Sequence, residues 1–496
     1  MSFRSSTVSL GLLLGLLATG QTLQQQLQGV ASANGLVGMS VVAVCEGAIT
    51  DVVHTGLADI GRNVAVNDST AYRIASISKL VTAIGVMRLH EQSTFGLDDD
   101  VSTALGFTFR NPAFPNTPIT YRMVLSHRSS LQDGSGYSPF LTATYSSTPP
   151  PAISELVTSG GNWYTADMWR TESPGSYFAY SNVNFGILGT LIEALSGQRF
   201  DQYMRQEVLA PLGIGGSYNV QDLSAIGQLA ALYRNSVPQA DDFNGLMPAP
   251  PDLSLYVIGT NGLYFAPQGG LRITAVELAR VLLCLLGNGT WTNGITTVQL
   301  LQPTTVALMT GQEWLYNGNN GDNYYGLFRS WGLGVHRITA TPGNDVVHPG
   351  VPMFGHAGEA YGLISDLYFD PSSGHGLLFL TNGYTPGNAY AFGNTAFYSV
   401  EDDVFAAVRT HAYQPCLSVA VQGSAGVSER LLVNGNTIRW TGTTALEIRV
   451  FDPQGKLLEQ RSIRPHVPIS WPGAWPMHAR SWRGGGIVVL TTAPSE

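Results

Sequence analysis

The chain has 496 residues, a net charge of −9 and only 12% charged side chains, against a usual ~25%. With 44% hydrophobic residues it can build a large core, and it is too apolar for a disordered chain. The acidic balance excludes a nucleic-acid footprint, and three scattered cysteines (Cys45, Cys284, Cys416) form neither a zinc spacing nor a disulfide framework.

Residues 1–20 read as a signal peptide. Arg4 supplies the positive start, Val8–Leu17 the short apolar run, and Ala18-Thr19-Gly20 a small-x-small cleavage site. A buried N-terminal helix is the plainer alternative. No later run reaches the ~18 consecutive apolar residues of a membrane span. The expectation is an exported bacterial protein, secreted or periplasmic, that starts near Gln21.

Gln21–Ala33 then reads as a helix, with Leu23, Leu27 and Val30 at helical spacing. Val37–Cys45 and Ala48–His54 form a hairpin around Glu46-Gly47. Ile77–Gln92 is helical, with Ile77, Leu80, Val81, Ile84 and Met87 on one side. Val183–Leu195 and Val276–Leu286 are further apolar helices, and Tyr316–Asn323 is a surface loop. Leu363–Asp370 and Leu377–Asn382 are paired strands. Strands at both ends with helices between them predict an α+β fold, an antiparallel sheet whose first and last strands are neighbours. After about Tyr413 the texture changes. Residues 415–496 carry eight Lys/Arg against five acids, and Leu446, Ile448 and Val450 alternate with charged residues. Ile487–Leu490 adds a strand, so 414–496 is expected to be a small all-β accessory domain behind a 21–413 main domain.

Three constellations carry chemistry. The chain has two lysines, and one lies in Ser76-Ile77-Ser78-Lys79 at the start of an apolar helix. Positions i and i+3 share a helix face, so hydroxyl and amine meet. A serine hydroxyl needs such a base to become nucleophilic. The helix start also offers N–H groups to an oxyanion. One Lys in about a dozen has a Ser at this spacing by chance. The second is Tyr180-Ser181-Asn182. Its phenol could relay a proton if an ammonium lowers its pKa from ~10, and Asn182 could orient Lys79 or simply cap the next helix. The third is Gly355-His356-Ala357-Gly358. Gly358 would let a substrate backbone approach the strand edge, and His356 would face the cleft or be an ordinary loop histidine.

In chain order, S-x-x-K, Y-S-N and H-x-G resemble the β-lactamase-related serine hydrolases: class C β-lactamases, DD-peptidases, penicillin-binding proteins and family VIII esterases. The surrounding text is similar too, in AYRIASISKLVTAIGVMRLHEQ, ITYRMVLSHRSSL, PGSYFAYSNVNFGILGTLIEALSG, PQGGLRITAVELARVLL and GHAGEAYGLISDLYFDP, over about Val37 to Arg409. The resemblance implies an antiparallel sheet flanked by helices, with a helical subdomain. It implies Ser76 as acyl-forming nucleophile, with Lys79 and Tyr180 sharing the general-base role. Asn182 would hold Lys79 and the acyl amide. The N–H groups of Ser76 and Glu359 would form the oxyanion hole, beside Gly358. His356 would stand near a substrate carboxylate, where β-lactamases place a lysine. No cofactor or metal is implied. Two departures matter. Histidine is a weaker cation than lysine at neutral pH, which argues against an efficient β-lactamase. Glu359 is bulky and acidic, so its side chain must point away from the oxyanion. The expected substrate is a small molecule or peptide, foremost a D-amino-acid-containing peptide such as a cell-wall peptide. A carboxylic ester is the alternative, and a catalytically silent binding module the rival of another class.

Overall fold

The computed structural model describes residues 22–413 and, beyond them, the backbone of eight strand segments between 419 and 492. The expected signal peptide and the turn Asp452–Gly455 lie outside the described residues. Helix α1 (Leu23–Ala33) starts two residues later than the spacing predicts, because Thr22 and Gln25 form a reciprocal capping box. The hairpin is β1 (Gly38–Cys45) and β2 (Ala48–Asp59), extended by β3 (Val64–Ala65). Three short strands follow late in the chain, β4 (Trp314–Leu315), β5 (Ser330–Trp331) and β6 (His336–Ile338). The long strands β7 (Met353–Ala360), β8 (Leu363–Asp370) and β9 (His375–Thr381) complete the sheet.

These nine strands run in the order β4-β5-β6-β7-β8-β9-β1-β2-β3, every pair antiparallel. The first and last long strands are neighbours, with Val41 opposite Phe379. A central strand is buried on both faces. Met39, Val41 and Ala43 pack into one apolar cluster with α1 and α5 (Ser399–Val408), while Val42 and Val44 pack into the other. That second cluster holds α2 (Ile77–Glu91), α3 (Asn182–Ser196), α4 (Ala275–Leu286) and the helical segments between residues 102 and 212.

Helix α2 departs from its one-sided pattern. Ser78, Lys79, Thr82, Ala83, Gly85 and Val86 are buried along with the expected apolar side. The sheet covers one side of this helix and α3 with the helical region covers the other. A helix enclosed all round needs no polar face, and Lys79 is drawn inside with it.

In the C-terminal region the backbone forms two four-stranded sheets. Leu446–Phe451 pairs with Leu457–Ile463 antiparallel and with Ile487–Thr492 in parallel. Among the described residues no helix is long and apolar enough to cross a membrane.

Candidate active site

Ser76 sits at the N-terminal boundary of α2, half-buried, with Ala75 before it in the left-handed region at φ 43°. A β-carbon is strained there, and such strain persists where surrounding structure enforces it. Here Leu271 accepts the Ile74 N–H on one side, and the Ile74 carbonyl accepts from Ser365 Oγ at 2.8 Å on the other.

One helical turn on, Lys79 is fully buried. Its Nζ lies 3.0 Å from Ser76 Oγ, 2.8 Å from Asn182 Oδ1 and 2.8 Å from the Gln268 carbonyl oxygen. The Tyr180 ring lies 4.8 Å from Nζ and Phe185 5.7 Å. Three acceptors favour the ammonium, but removal from water disfavours it more strongly. The Lys79 pKa is pushed down to about 7 by burial, with Asp133 opposing the shift.

Tyr180 does not behave as the sequence suggested. Burial drives its pKa up, although a hydrogen bond with the Ser76 side chain opposes this. The neighbouring lysine does not offset the loss of solvent, so the phenol keeps its proton.

Asn182 is the first residue of α3, and Ser181 rather than Asn182 occupies the cap position. The capping carboxylate comes from a remote segment. Asp133 Oδ1 accepts from Val183 N (3.0 Å) and Ser181 Oγ (2.8 Å). Its Oδ2 accepts from Asn182 N (3.0 Å) and Nδ2 (2.7 Å). Asp133 thereby fixes the amide so that Oδ1 faces Lys79. Nothing local in the sequence marks this residue, because its partners lie 48–50 positions away. His127 is a second unforeseen neighbour. It accepts from Ser181 N at 3.1 Å and packs on the Tyr180 ring, centroids 4.5 Å apart.

His356 and Gly358 lie on β7, directly before β8 and paired with it. A β-carbon on Gly358 would come within 2.4 Å of Ser365 Oγ and 2.9 Å of both the Ile74 carbonyl and Ser76 N. The backbone that approaches this glycine is the chain's own. His356 is two residues away and so shares that inward face. It does not face the cleft as a cation. Its ring is fully buried, edge-on to Trp331 at 5.3 Å, with Nδ1 2.5 Å from the Ala357 carbonyl oxygen. Burial and nearby Lys79 hold its pKa well below the usual histidine range, so it is neutral. Glu359 points to the opposite face, where its carboxylate accepts from Tyr398 Oη at 3.0 Å.

A cavity of about 320 Å³ opens at Ser76. Tyr180, Tyr324 and Phe328 wall one end, and Glu359, Tyr398 and Glu401 the other. Ser76, Lys79, Tyr180 and Asn182 thus form one connected group, with Gly358 and Glu359 beside it and His356 behind it.

The sequence model of the family described as Beta-lactamase matches residues 19–397. Penicillin-binding protein 4 of Amycolatopsis lactamdurans is 24% identical over 361 residues, 73% of this chain and 84% of that protein. The D-alanyl-D-alanine-carboxypeptidase/endopeptidase AmpH of Escherichia coli K12 is 26% identical over 244 residues, and the match spans 48% of this chain and 57% of AmpH. Among solved structures, D-amino acid amidase from Ochrobactrum anthropi SV3 superposes with a TM-score of 0.56 at 20% identity, covering 78% of this chain and 98% of its own. That likeness concerns the fold.

Proposed function

The chain belongs to the β-lactamase family, whose relatives are serine hydrolases, and from that premise we propose that it is an exported hydrolase working through an acyl-enzyme on Ser76. The observation that carries this reading is Lys79, wholly buried with Nζ 3.0 Å from Ser76 Oγ. A neutral amine has two N–H bonds and one lone pair. The Asn182 and Gln268 oxygens take the two hydrogens, which leaves the lone pair for the Ser76 hydroxyl. Lys79 accepts that proton as Oγ attacks the substrate carbonyl, and the new oxyanion sits at the N–H groups of Ser76 and Glu359. Tyr180 stays protonated and donates to the departing atom, regaining its proton from Lys79. Water then attacks the acyl group by the same route in reverse and frees Ser76. Asn182 holds Lys79, and Gly358 allows β7 to lie against the nucleophile.

For the substrate we favour an amide or peptide bond of a D-amino acid, of which cell-wall peptides are one source. A carboxylic ester is the second reading. It is supported by the buried, neutral His356, which cannot serve as the anchor for a free carboxylate that a carboxypeptidase needs. Export is supported by the pattern of residues 1–20 and by Cys45, which is disulfide-bonded, since such bonds persist in oxidising compartments. The region from 414 onward is proposed as an accessory domain that supplies no catalytic group.

The test is a parallel assay with p-nitrophenyl esters, D-amino-acid p-nitroanilides, a cephalosporin and D-Ala-D-Ala peptides. Burst kinetics on an ester or anilide, absent in Ser76→Ala, is expected. Failure of every substrate together with failure to react with a fluorophosphonate would return the chain to the silent-module reading.

A further inference from the structure

The cavity at Ser76 has an uneven electrostatic character. Its far end carries two carboxylic acids, Glu359 on β7 and Glu401 in the first turn of α5. Behind Glu401 lies Asp366, fully buried, with no hydrogen-bond donor among the described residues except a proton shared with Glu401. Among the described residues, no lysine, arginine or histidine lines the cavity. Glu359 is exposed and its carboxylate accepts from Tyr398 Oη, whereas Glu401 is buried and its Oε2 accepts from Tyr398 N at 2.6 Å.

The walls are aromatic. Tyr180 stacks on Phe328 at 5.1 Å and meets Tyr324 edge-on at 6.0 Å. At the mouth Phe392 stacks on Tyr398 at 5.3 Å. Phe392 is 70% exposed and Tyr325, also at the mouth, 92% exposed. Large rings left in water around a concave site next to carboxylates match a desolvated cation, because the ring faces are electron-rich. They match a carboxylate poorly, since no donor of positive charge is present to receive it.

The cavity also has a side. It is lined by Tyr180, the proposed proton donor to the departing atom, and not by Asn182 or Gln268. Resting on the acyl-enzyme reading above, we propose that this cavity receives the departing half of the substrate and selects a leaving group that carries an ammonium or quaternary ammonium, held between the aromatic walls and Glu359 and Glu401. Burial and mutual repulsion push both carboxyls of the Asp366–Glu401 pair above the usual carboxylate range. A cation beside the pair favours its ionised form, so the site becomes charged when it is filled.

Three esters of one carboxylic acid test this with the full chain. Their alcohols are choline, its uncharged isostere 3,3-dimethylbutanol, and 3-hydroxypropanoate. The expected order of kcat/KM is choline ester over dimethylbutyl ester by tenfold or more, with the carboxylate-bearing ester slowest. Equal rates for the first two, or preference for the third, would overturn the proposal. Glu401→Gln keeps a side chain able to complete the cap of α5, and Glu359→Gln keeps its backbone N–H. Each is expected to reduce the choline-to-dimethylbutyl ratio by threefold or more, and an unchanged ratio in both would count against the acids. Calorimetric binding of tetramethylammonium separates this proposal from the hydrolase reading. Binding without fluorophosphonate labelling of Ser76 would support the cation site while the hydrolase reading fails. Labelling without binding would refute the cation site alone, and neither would refute both.

Discussion

The ionisation of one buried amine governs the proposed chemistry. Lys79 acts as a base only when neutral, and burial places its pKa at about 7. Below that pH the ammonium predominates, so kcat/KM should fall about tenfold per pH unit, and above it the profile should be flat. His356 lies well below the usual histidine range and should add no second limb between pH 6 and 7. A pH profile that rises without levelling through pH 9 would show that Lys79 retains an ordinary lysine pKa. Lys79→Ala should cut kcat by roughly 10²–10⁴. Asp133 supplies a separate test. Asp133→Ala removes four hydrogen bonds at the start of α3, two of them on Asn182. A lost helix cap costs about 1 kcal/mol, so the melting temperature should drop by a few degrees. A merely structural role would stop there. A positioning role predicts in addition a fall in kcat of tenfold or more with KM little changed, because Asn182 no longer fixes Lys79.

At the scale of the element, the decisive contact is β7 against the start of α2. Gly358→Ala would place a methyl 2.9 Å from both the Ile74 carbonyl and Ser76 N, and 2.4 Å from Ser365 Oγ. The strand is paired and α2 is enclosed, so neither yields cheaply. The variant should lose at least 1 kcal/mol of stability and at least tenfold in kcat, read by thermal unfolding and single-turnover kinetics. Wild-type rates in Gly358→Ala would show that β7 does not help to build the site. Elements whose pattern is set by their own side chains were legible in the sequence. β8 matches its expected bounds, and α2, α3 and α4 differ by one residue at their ends. The S-x-x-K contact was legible for the same reason, since i,i+3 spacing is local geometry. Contacts between distant segments were not. Asp133 capping α3, the Gln268 carbonyl on Lys79 and the inward turn of His356 depend on chain separations that no local period encodes. The burial of α2 on all sides likewise follows from what packs around it, not from its own pattern.

For the molecule as a whole, every residue assigned a role in the proposed chemistry lies between Ser76 and Glu359, and the cavity ends at Glu401. The alternation of Leu446, Ile448 and Val450 anticipated a strand, and the backbone there does form one. What the two C-terminal sheets do cannot be read from alternation, which encodes burial and not a partner. A chain ending at Tyr413 should keep kcat within a few-fold of full length once calorimetry shows it folded. A folded but inactive truncation would place part of the cleft beyond 413.

An acyl-enzyme on Ser76 would be captured by intact-mass spectrometry of the chain quenched in acid during ester turnover. A mass increase equal to one acyl group is expected, mapped to the peptide that carries Ser76 and absent in Ser76→Ala. An adduct on another residue, or turnover of the same ester by Ser76→Ala at the wild-type rate, would contradict it.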